Sequence, residues 1–519
     1  MSKPKAELYG YPPRREKAAY ALKWNALWAV GCWTIFYFVL VFLLAHEKPF
    51  WNDELFTFYI SRLRNLSDVW NALLTGAEQI PPFFFVITRF LSAIFGFGHV
   101  GFRLPEALGY WLMCISLFHF VRVRLSPMYG LIAMAFPLVT ASFDYAYEAR
   151  PYGLVLGLCA LALCCWQAAS IYHLRTLSLV GLALSGAAAL SCHYYALVGL
   201  SAIMVGECVR SIHRKKVDVG VWITFVLWIV PLVFFSPLIK AAQSYSGAFW
   251  SKPKWTNTLG FYNTLLTPTS LTLAVLLITL GLYSMLRWSE NVGSVRIPRN
   301  IPIYEIAAVS AFAFVPVLGV ILAQAVTGAF NFRYGLPAVI GVSILVAWSS
   351  SALAHQRAGI GVVLFLVLTA LSLAHGVKLY FEVQGTLKDR MSSYQFVQTE
   401  ATGTPVVIVD PHLFFELSHD VAERRSGMHL VYLADTSMAL KYTNTDTVER
   451  GLQAMKRWAP LDVRSFNQFS AAHDTLLVYG YPGPFEWVVE DLIAGGWRLA
   501  VQGRNGNQLL FLARRPPGQ

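Results

Sequence analysis

Asp53 and Glu54 stand side by side directly after the first long apolar run, and Glu148 lies in the segment Tyr147-Glu148-Ala149-Arg150-Pro151-Tyr152. A positioned carboxylate can take the proton of an attacking hydroxyl, which is the commonest demand a group-transfer reaction makes of an acid side chain. These three are embedded among Phe50, Trp51, Phe56, Tyr145, Tyr147 and Tyr152. An idle carboxylate there would suffer desolvation without compensation, so a chemical role is favoured over a solvated loop. The aromatic cover also leads one to expect a raised pKa for Asp53. Asp68 and Glu78 lack such cover and read as solvated loop acids. Arg150 and Arg333, the latter in Asn331-Phe332-Arg333-Tyr334, offer planar donor forks suited to phosphate oxygens. Lys240, Lys252 and Lys254 lie among Tyr245, Phe249, Trp250, Trp255 and Phe261, and read equally as extra cations or as snorkelling lysines in an aromatic belt. His193-Tyr194-Tyr195 adds polar groups at the end of another apolar run, where a His is more often a hydrogen-bonder than a catalyst. The seven cysteines all fall in apolar runs without metal-ligand spacing. No cofactor is required by these motifs. A divalent metal is compatible with the carboxylates, though no ligand spacing demands one.

The elements that must hold these groups are mostly apolar helices. The chain has 519 residues, 56% hydrophobic and 13% charged, against about 25% charged in soluble domains. Runs near 24–45, 104–121, 128–143, 152–172, 177–195, 196–209, 219–238, 270–286, 303–325, 335–354 and 359–377 give about eleven transmembrane helices. The stretch 81–97 is short, opens on Pro81-Pro82 and contains Arg89, and reads as a helix at the interface. With eleven spans, one set of loops holds 17 basic residues: Lys3, Lys5, Arg14, Arg15, Lys17, Lys23, Arg122, Arg124, Arg175, Arg210, Arg214, Lys215, Lys216, Arg287, Arg296, Arg299 and Arg357. The other set holds ten, so the positive-inside rule puts the N-terminus in the cytoplasm. Eight of the 14 acids before residue 379 then fall between positions 47 and 148, all at the outer face. Residues 379–519 carry 13 basic and 15 acidic residues and alternate β-like runs (406–409, 476–479, 509–512) with helical patterns (413–422, 485–495). They read as a three-layered extracytoplasmic α/β domain, with 1–23 cytoplasmic and 24–378 the membrane part with its outer loop at 46–103. The basic residues are spread over short loops, so the net charge of +12 does not imply nucleic-acid binding.

The order of motifs resembles the GT-C membrane glycosyltransferases, in the branch of protein O-mannosyltransferases, the lipid A aminoarabinose transferase and the Rgt-type galacturonosyltransferases. The resemblance runs from the Asp53-Glu54 pair through Pro81-Pro82, Arg103-Leu104-Pro105, 147–152 and His193-Tyr194 to Arg333-Tyr334. Ile80 stands before the prolines, where relatives often carry a polar residue. The resemblance implies a polyprenyl-phosphate sugar donor in a plasma (inner) membrane, inversion at the anomeric carbon, and an envelope lipid, glycan or protein acceptor. It implies Asp53 as base and Glu54 as an orienting or metal-contacting residue. Glu148 and Arg150 would position sugar, with Tyr152, His193, Tyr194, Lys252 and Tyr334 in the substrate site and Arg333 on the donor phosphate. The topology adds that outward-facing acids need a membrane-anchored donor, since nucleotide sugars are cytoplasmic. Two other readings share part of the pattern: a lipid-linked glycan transporter, disfavoured because the span centres are almost free of charge, and a GT-C-fold polymerase or ligase.

Overall fold

A computed structural model describes residues 14–516 apart from 246, 248–250, 293–300, 356, 401–403 and 482–485. Lys3, Lys5, Phe249, Trp250, Arg296, Arg299 and position 485 lie outside the described residues. Six helices are long and apolar enough to cross a membrane: Ala26–Glu47, His99–Arg122, Tyr152–Ser170, Arg175–Cys192, Ala196–Arg214 and Ala358–Glu400. Three bent pairs raise the number to as many as nine among the described residues, so the chain is a multi-pass membrane protein. Two bends coincide with prolines, Pro237 opening the second helix of one pair (63°) and Pro316 that of another (61°). The third bend, 106°, falls at Thr267. Three apolar helices are shorter: Pro82–Phe95, Pro127–Val139 and Ala338–Leu353. Two of these occupy the runs read as spans at 128–143 and 335–354. The first is cut short because Pro137 tightens it into 3₁₀ turns, Phe136–Val139 and then Ala141–Ala146. The stretch between the runs at 219–238 and 270–286 is largely helical as well, being taken up by Ser236–Gln243 and the start of Thr256–Val292.

The helix pair His99–Arg122 and Tyr152–Ser170 meets backbone to backbone. A Cβ on Gly157 would lie 2.1 Å from Gly109 O, and one on Gly109 would lie 2.3 Å from Leu154 Cα. Glycine is the only residue that permits this approach, as in tight membrane helix pairs generally. Glu106 of the first helix accepts a hydrogen bond from Leu154 N at 2.8 Å, in the first turn of the second. Unpaired N–H groups and the helix dipole favour an anion there. The contact fixes the segment 147–152 above the seam. At the opposite end of the bundle, Arg124 pairs with Glu305 (2.5 Å), Arg210 with Glu207 (2.9 Å), and both Arg175 (2.5 Å) and Arg210 (3.1 Å) with Asp218.

The helix Ala358–Glu400 has 43 residues, which makes it about 65 Å long at 1.5 Å per residue, twice the ~30 Å of a hydrocarbon core. It runs without a break through the boundary drawn at 378/379, so its second half forms a stalk. Beyond it lies a six-stranded sheet: β1 (Val406–Ile408), β2 (Leu430–Ala434), β3 (Val463–Ser465), β4 (Thr475–Gly480), β5 (Arg498–Asn505) and β6 (Gln508–Arg514). The order is β3-β2-β1-β4-β6-β5, parallel from β3 to β4 and antiparallel from β4 to β5. Side chains alternate across a strand. Val406, Ile408, Tyr432 and Tyr479 accordingly join the main core with Phe414 and Phe415 of helix Pro411–Arg424. Val407, Val409, Val431, Leu433 and Val478 instead join a distal core with Phe466, Trp487 and Leu492. The three layers are thus present, and the whole is a helical membrane protein with a C-terminal α/β domain.

Candidate active site

Asp53 and Glu54 occupy the first turn of helix Asn52–Ser61, where the helix dipole favours carboxylates. Successive residues of a helix point about 100° apart, so the two acids part company. Glu54 turns inward. Its Oε1 and Oε2 meet Nε and Nη2 of Arg103 at 2.7 and 2.6 Å, with both side chains fully buried. Oε1 also accepts from Ala149 N at 2.6 Å, which ties the Glu148 segment to this helix. The remaining donors of Arg103 bind the carbonyls of Ala45 (2.7 Å), Lys48 (2.6 Å) and Pro49 (3.1 Å). Burial works against ionising Glu54, but Arg103 outweighs it and holds the carboxyl below its usual range. Glu54 is thus committed to this pair, behind the surface that Asp53 faces.

Asp53 turns outward, with 26% of its side chain exposed, and its Oδ2 lies 2.5 Å from Nη1 of Arg333. The guanidinium of Arg333 rests 4.9 Å from the Trp51 ring and 6.0 Å from the Tyr152 ring, within cation–π range. Its Nε is buried and has no partner. Arg150 donates to Asp53 O (3.1 Å) and grips Glu78 through Nη1–Oε2 (2.6 Å) and Nη2–Oε1 (3.3 Å). Its Nε is likewise buried and unpartnered. The pKa expected for Asp53 from its aromatic cover is reversed. Burial does push it up, but Arg150 and Arg333 outweigh burial and hold it below the ordinary aspartate value. The expectation for Glu78 is reversed too, because it is buried and paired.

Glu148 lies behind this pair. Lys48 Nζ reaches its Oε2 at 3.3 Å, while Oε1 is buried without a partner. Burial raises its pKa, the nearby Lys48 opposes that, and Glu54 adds to it. The aromatic floor is continuous. His193 sits 5.3 Å from the Tyr152 ring and 5.2 Å from that of Tyr334, which stacks on Tyr195 at 3.9 Å. Burial, with Arg150 and Arg333 nearby, drives His193 down to about 3, so it is neutral. Its Nδ1 accepts from Tyr195 N at 3.1 Å. The structure therefore gathers Asp53, Glu148, Arg150, Tyr152, His193, Arg333 and Tyr334 into one cluster. Tyr194 lies beside it with a buried hydroxyl lacking a partner. Lys252 is exposed. Its neighbour Ser251 accepts from Phe330 N at 3.1 Å, which ties that segment to the Arg333 turn.

Sequence reading gave no site role to Lys48 or Glu78. The signal for Glu78 was an acid two residues ahead of Ile80-Pro81-Pro82. The charge balance and α/β pattern of the C-terminal domain suggest support or acceptor recognition, without naming the residues that reach the first outer helix. Glu416 Oε1 accepts from Asn52 N at 3.2 Å, and Arg390 donates to Phe50 O while binding Asp420 through two bonds of 2.7 Å. As for a metal, each carboxylate of the cluster is engaged with a cation, and no group of three His, Cys, Asp or Glu that could hold an ion converges among the described residues.

No protein-family model matches the sequence, and no curated protein matches it. In fold the chain is similar to the crystal structure of ArnT from Cupriavidus metallidurans in the apo state, at 12% identity and a TM-score of 0.59, over 93% of this chain and 98% of that one. It is similar as well to ArnT from the same organism bound to undecaprenyl phosphate, at 13% identity and a TM-score of 0.56, over 95% and 98%. At such identities the likeness is one of fold.

Proposed function

We propose that the chain is an inverting glycosyltransferase that moves a sugar from a polyprenyl-phosphate donor to an envelope lipid, glycan or protein at the extracytoplasmic face of the plasma membrane. The observation that carries this reading is the Asp53–Arg333 pair, a carboxylate and a phosphate-binding fork 2.5 Å apart between the aromatic walls Trp51 and Tyr152. The likeness to a fold solved with undecaprenyl phosphate supports the donor class.

In this reading the acceptor hydroxyl attacks the anomeric carbon, the bond to the lipid phosphate breaks on the opposite face, and Asp53 takes the hydroxyl proton. Arg333, with its unpartnered Nε, stabilises the departing phosphate. The pairing in the resting protein adds a control. While Arg333 is bound to Asp53 the carboxylate is a weak base. A donor phosphate competes for the same guanidinium, and as it wins, Asp53 recovers basicity where it is needed. Glu54 acts through Arg103 to position the helix start, Arg150 holds the Asp53 backbone, and Glu148 lies within reach of the sugar. Arg333→Lys replaces a fork by a point charge. Loss of a charge-assisted bond of this kind should weaken binding of polyprenyl phosphate about ten- to a hundredfold. Unchanged binding by Arg333→Ala would make Arg333 a lipid-headgroup anchor and would remove the donor contact from this proposal.

The proposal places 1–23 in the cytoplasm, 24–378 in the membrane with the outer loop 46–103, and 379–519 outside. A C-terminal alkaline phosphatase fusion should therefore be active. An inactive fusion, with a fluorescent cytoplasmic reporter active at the same position, would invert the topology and sink the lipid-donor argument with it.

A further inference from the structure

A cleft of about 200 Å³ separates the membrane part from the C-terminal arm beside the Asp53–Arg333 pair. Lys48, Trp51, Asp144 and Tyr147 form one wall, and the stalk and helix Pro411–Arg424 form the other with Glu382, Arg390 and Glu416. We propose that this cleft is the acceptor subsite, that the C-terminal domain builds half of it, and that it takes a hydroxyl-rich saccharide unit bearing no negative charge. The proposal rests on the glycosyltransferase reading above and adds the acceptor chemistry to it.

Size is the first argument. The volume is below the ~300–1,000 Å³ of sites for drug-sized ligands, which leaves room for about one sugar ring. Charge is the second. Both cations of the cleft are already spoken for, Arg390 by its two bonds to Asp420 and Lys48 by Glu148 and the Tyr147 ring at 5.1 Å. The surplus groups are acceptors. Asp144 takes the Tyr147 hydroxyl (2.7 Å), Glu382 pairs with Lys378 at the exposed rim (3.3 Å), and Glu416 takes a backbone N–H from the opposite wall and lies 3.9 Å from the Arg390 already held by Asp420. Burial pushes Glu416 up to about 7, so near neutrality it both donates and accepts. Sugar hydroxyls satisfy such a lining, whereas a phosphate or carboxylate would meet three acids and no uncommitted guanidinium. Shape is the third. Trp51 and Tyr147 present aromatic surface, and the buried Nε1 of Trp51 has no partner. The same Trp51 ring carries Arg333, so a saccharide in the cleft sits one ring away from the reacting pair.

The test uses the full chain in lipid nanodiscs, free of sugar-headed detergent, with a diazirine-bearing octyl glucoside as probe. Label should map by mass spectrometry to peptides of the cleft and be displaced by octyl glucoside but not by octyl phosphate. Thr386 is exposed at the cleft rim. Thr386→Trp fills the space from outside the core and should cut labelling about tenfold, with polyprenyl-phosphate binding measured alongside as the control of folding. Labelling elsewhere, stronger displacement by octyl phosphate, or full labelling of Thr386→Trp would overturn the inference. The two readings fail separately. Sugar transfer by a protein whose cleft stays unlabelled refutes the subsite alone, whereas cleft labelling in a protein that turns over no polyprenyl-phosphate sugar supports the subsite and refutes the transferase.

Discussion

Asp53→Asn should fold, bind polyprenyl phosphate and fail to turn over, with a rate about 100 to 10,000 times below the wild type. The amide keeps the shape of the side chain and can still accept a bond from Arg333, but it cannot take a proton. Donor affinity should hold or rise, because the phosphate no longer competes with a carboxylate for the guanidinium. The pH profile of the wild type carries the same idea. The free protein holds Asp53 below the ordinary aspartate value through Arg150 and Arg333, so the acid limb of kcat/KM should lie low. In the donor complex Arg333 is diverted to phosphate, so the acid limb of kcat should lie at higher pH. Transfer assays with synthetic polyprenyl-phosphate sugars read both. Near-normal turnover by Asp53→Asn, together with a dead Glu148→Gln, would move the base to Glu148, whose unpartnered Oε1 is the alternative proton acceptor.

The largest effect on stability should come from Arg103. Its side chain is fully buried and binds Glu54 and three carbonyls that turn the chain out of helix Ala26–Glu47. Arg103→Leu strands a buried carboxylate and should cost about 3–5 kcal/mol, seen as a lower melting temperature in detergent and reduced yield. Glu54→Gln strands the guanidinium and should act in the same direction, so it is a folding variant before it is a catalytic one. Glu54→Leu combined with Arg103→Leu removes both charges and should recover part of the loss. A wild-type melting curve for Arg103→Leu would refute the assignment.

Much of this arrangement could be read from residue order, and the reason is local. Apolar length announces a span, the Asp53-Glu54 pair follows directly on one, and strand alternation at 406–409 and 476–479 marks the two sides of a sheet. Three things were hidden because they depend on partners distant in sequence. Glu78 looks solvated until Arg150 is brought to it. The pKa of Asp53 depends on Arg333, 280 residues away, so its aromatic neighbours alone gave the wrong sign. The reach of Arg390 and Glu416 into the first outer helix has no local signature at all. Prolines also reshape the spans, since Pro137 stops and Pro316 bends runs whose composition is that of an unbroken helix.

The unbroken helix Ala358–Glu400 couples two coordinates that a flexible linker would keep apart. Each residue along it turns the chain by about 100° and raises it by about 1.5 Å. Adding one residue between the membrane and Arg390 would swing that side chain away from Phe50 and Asp420. Adding seven would bring it back to nearly the same bearing but about 10 Å too high. No change of length meets both conditions, so stalk and sheet are geared to the first outer helix like a keyed shaft. Variation in the size of what the domain admits must then arise in its loops, because the height of its seat above the bilayer is fixed.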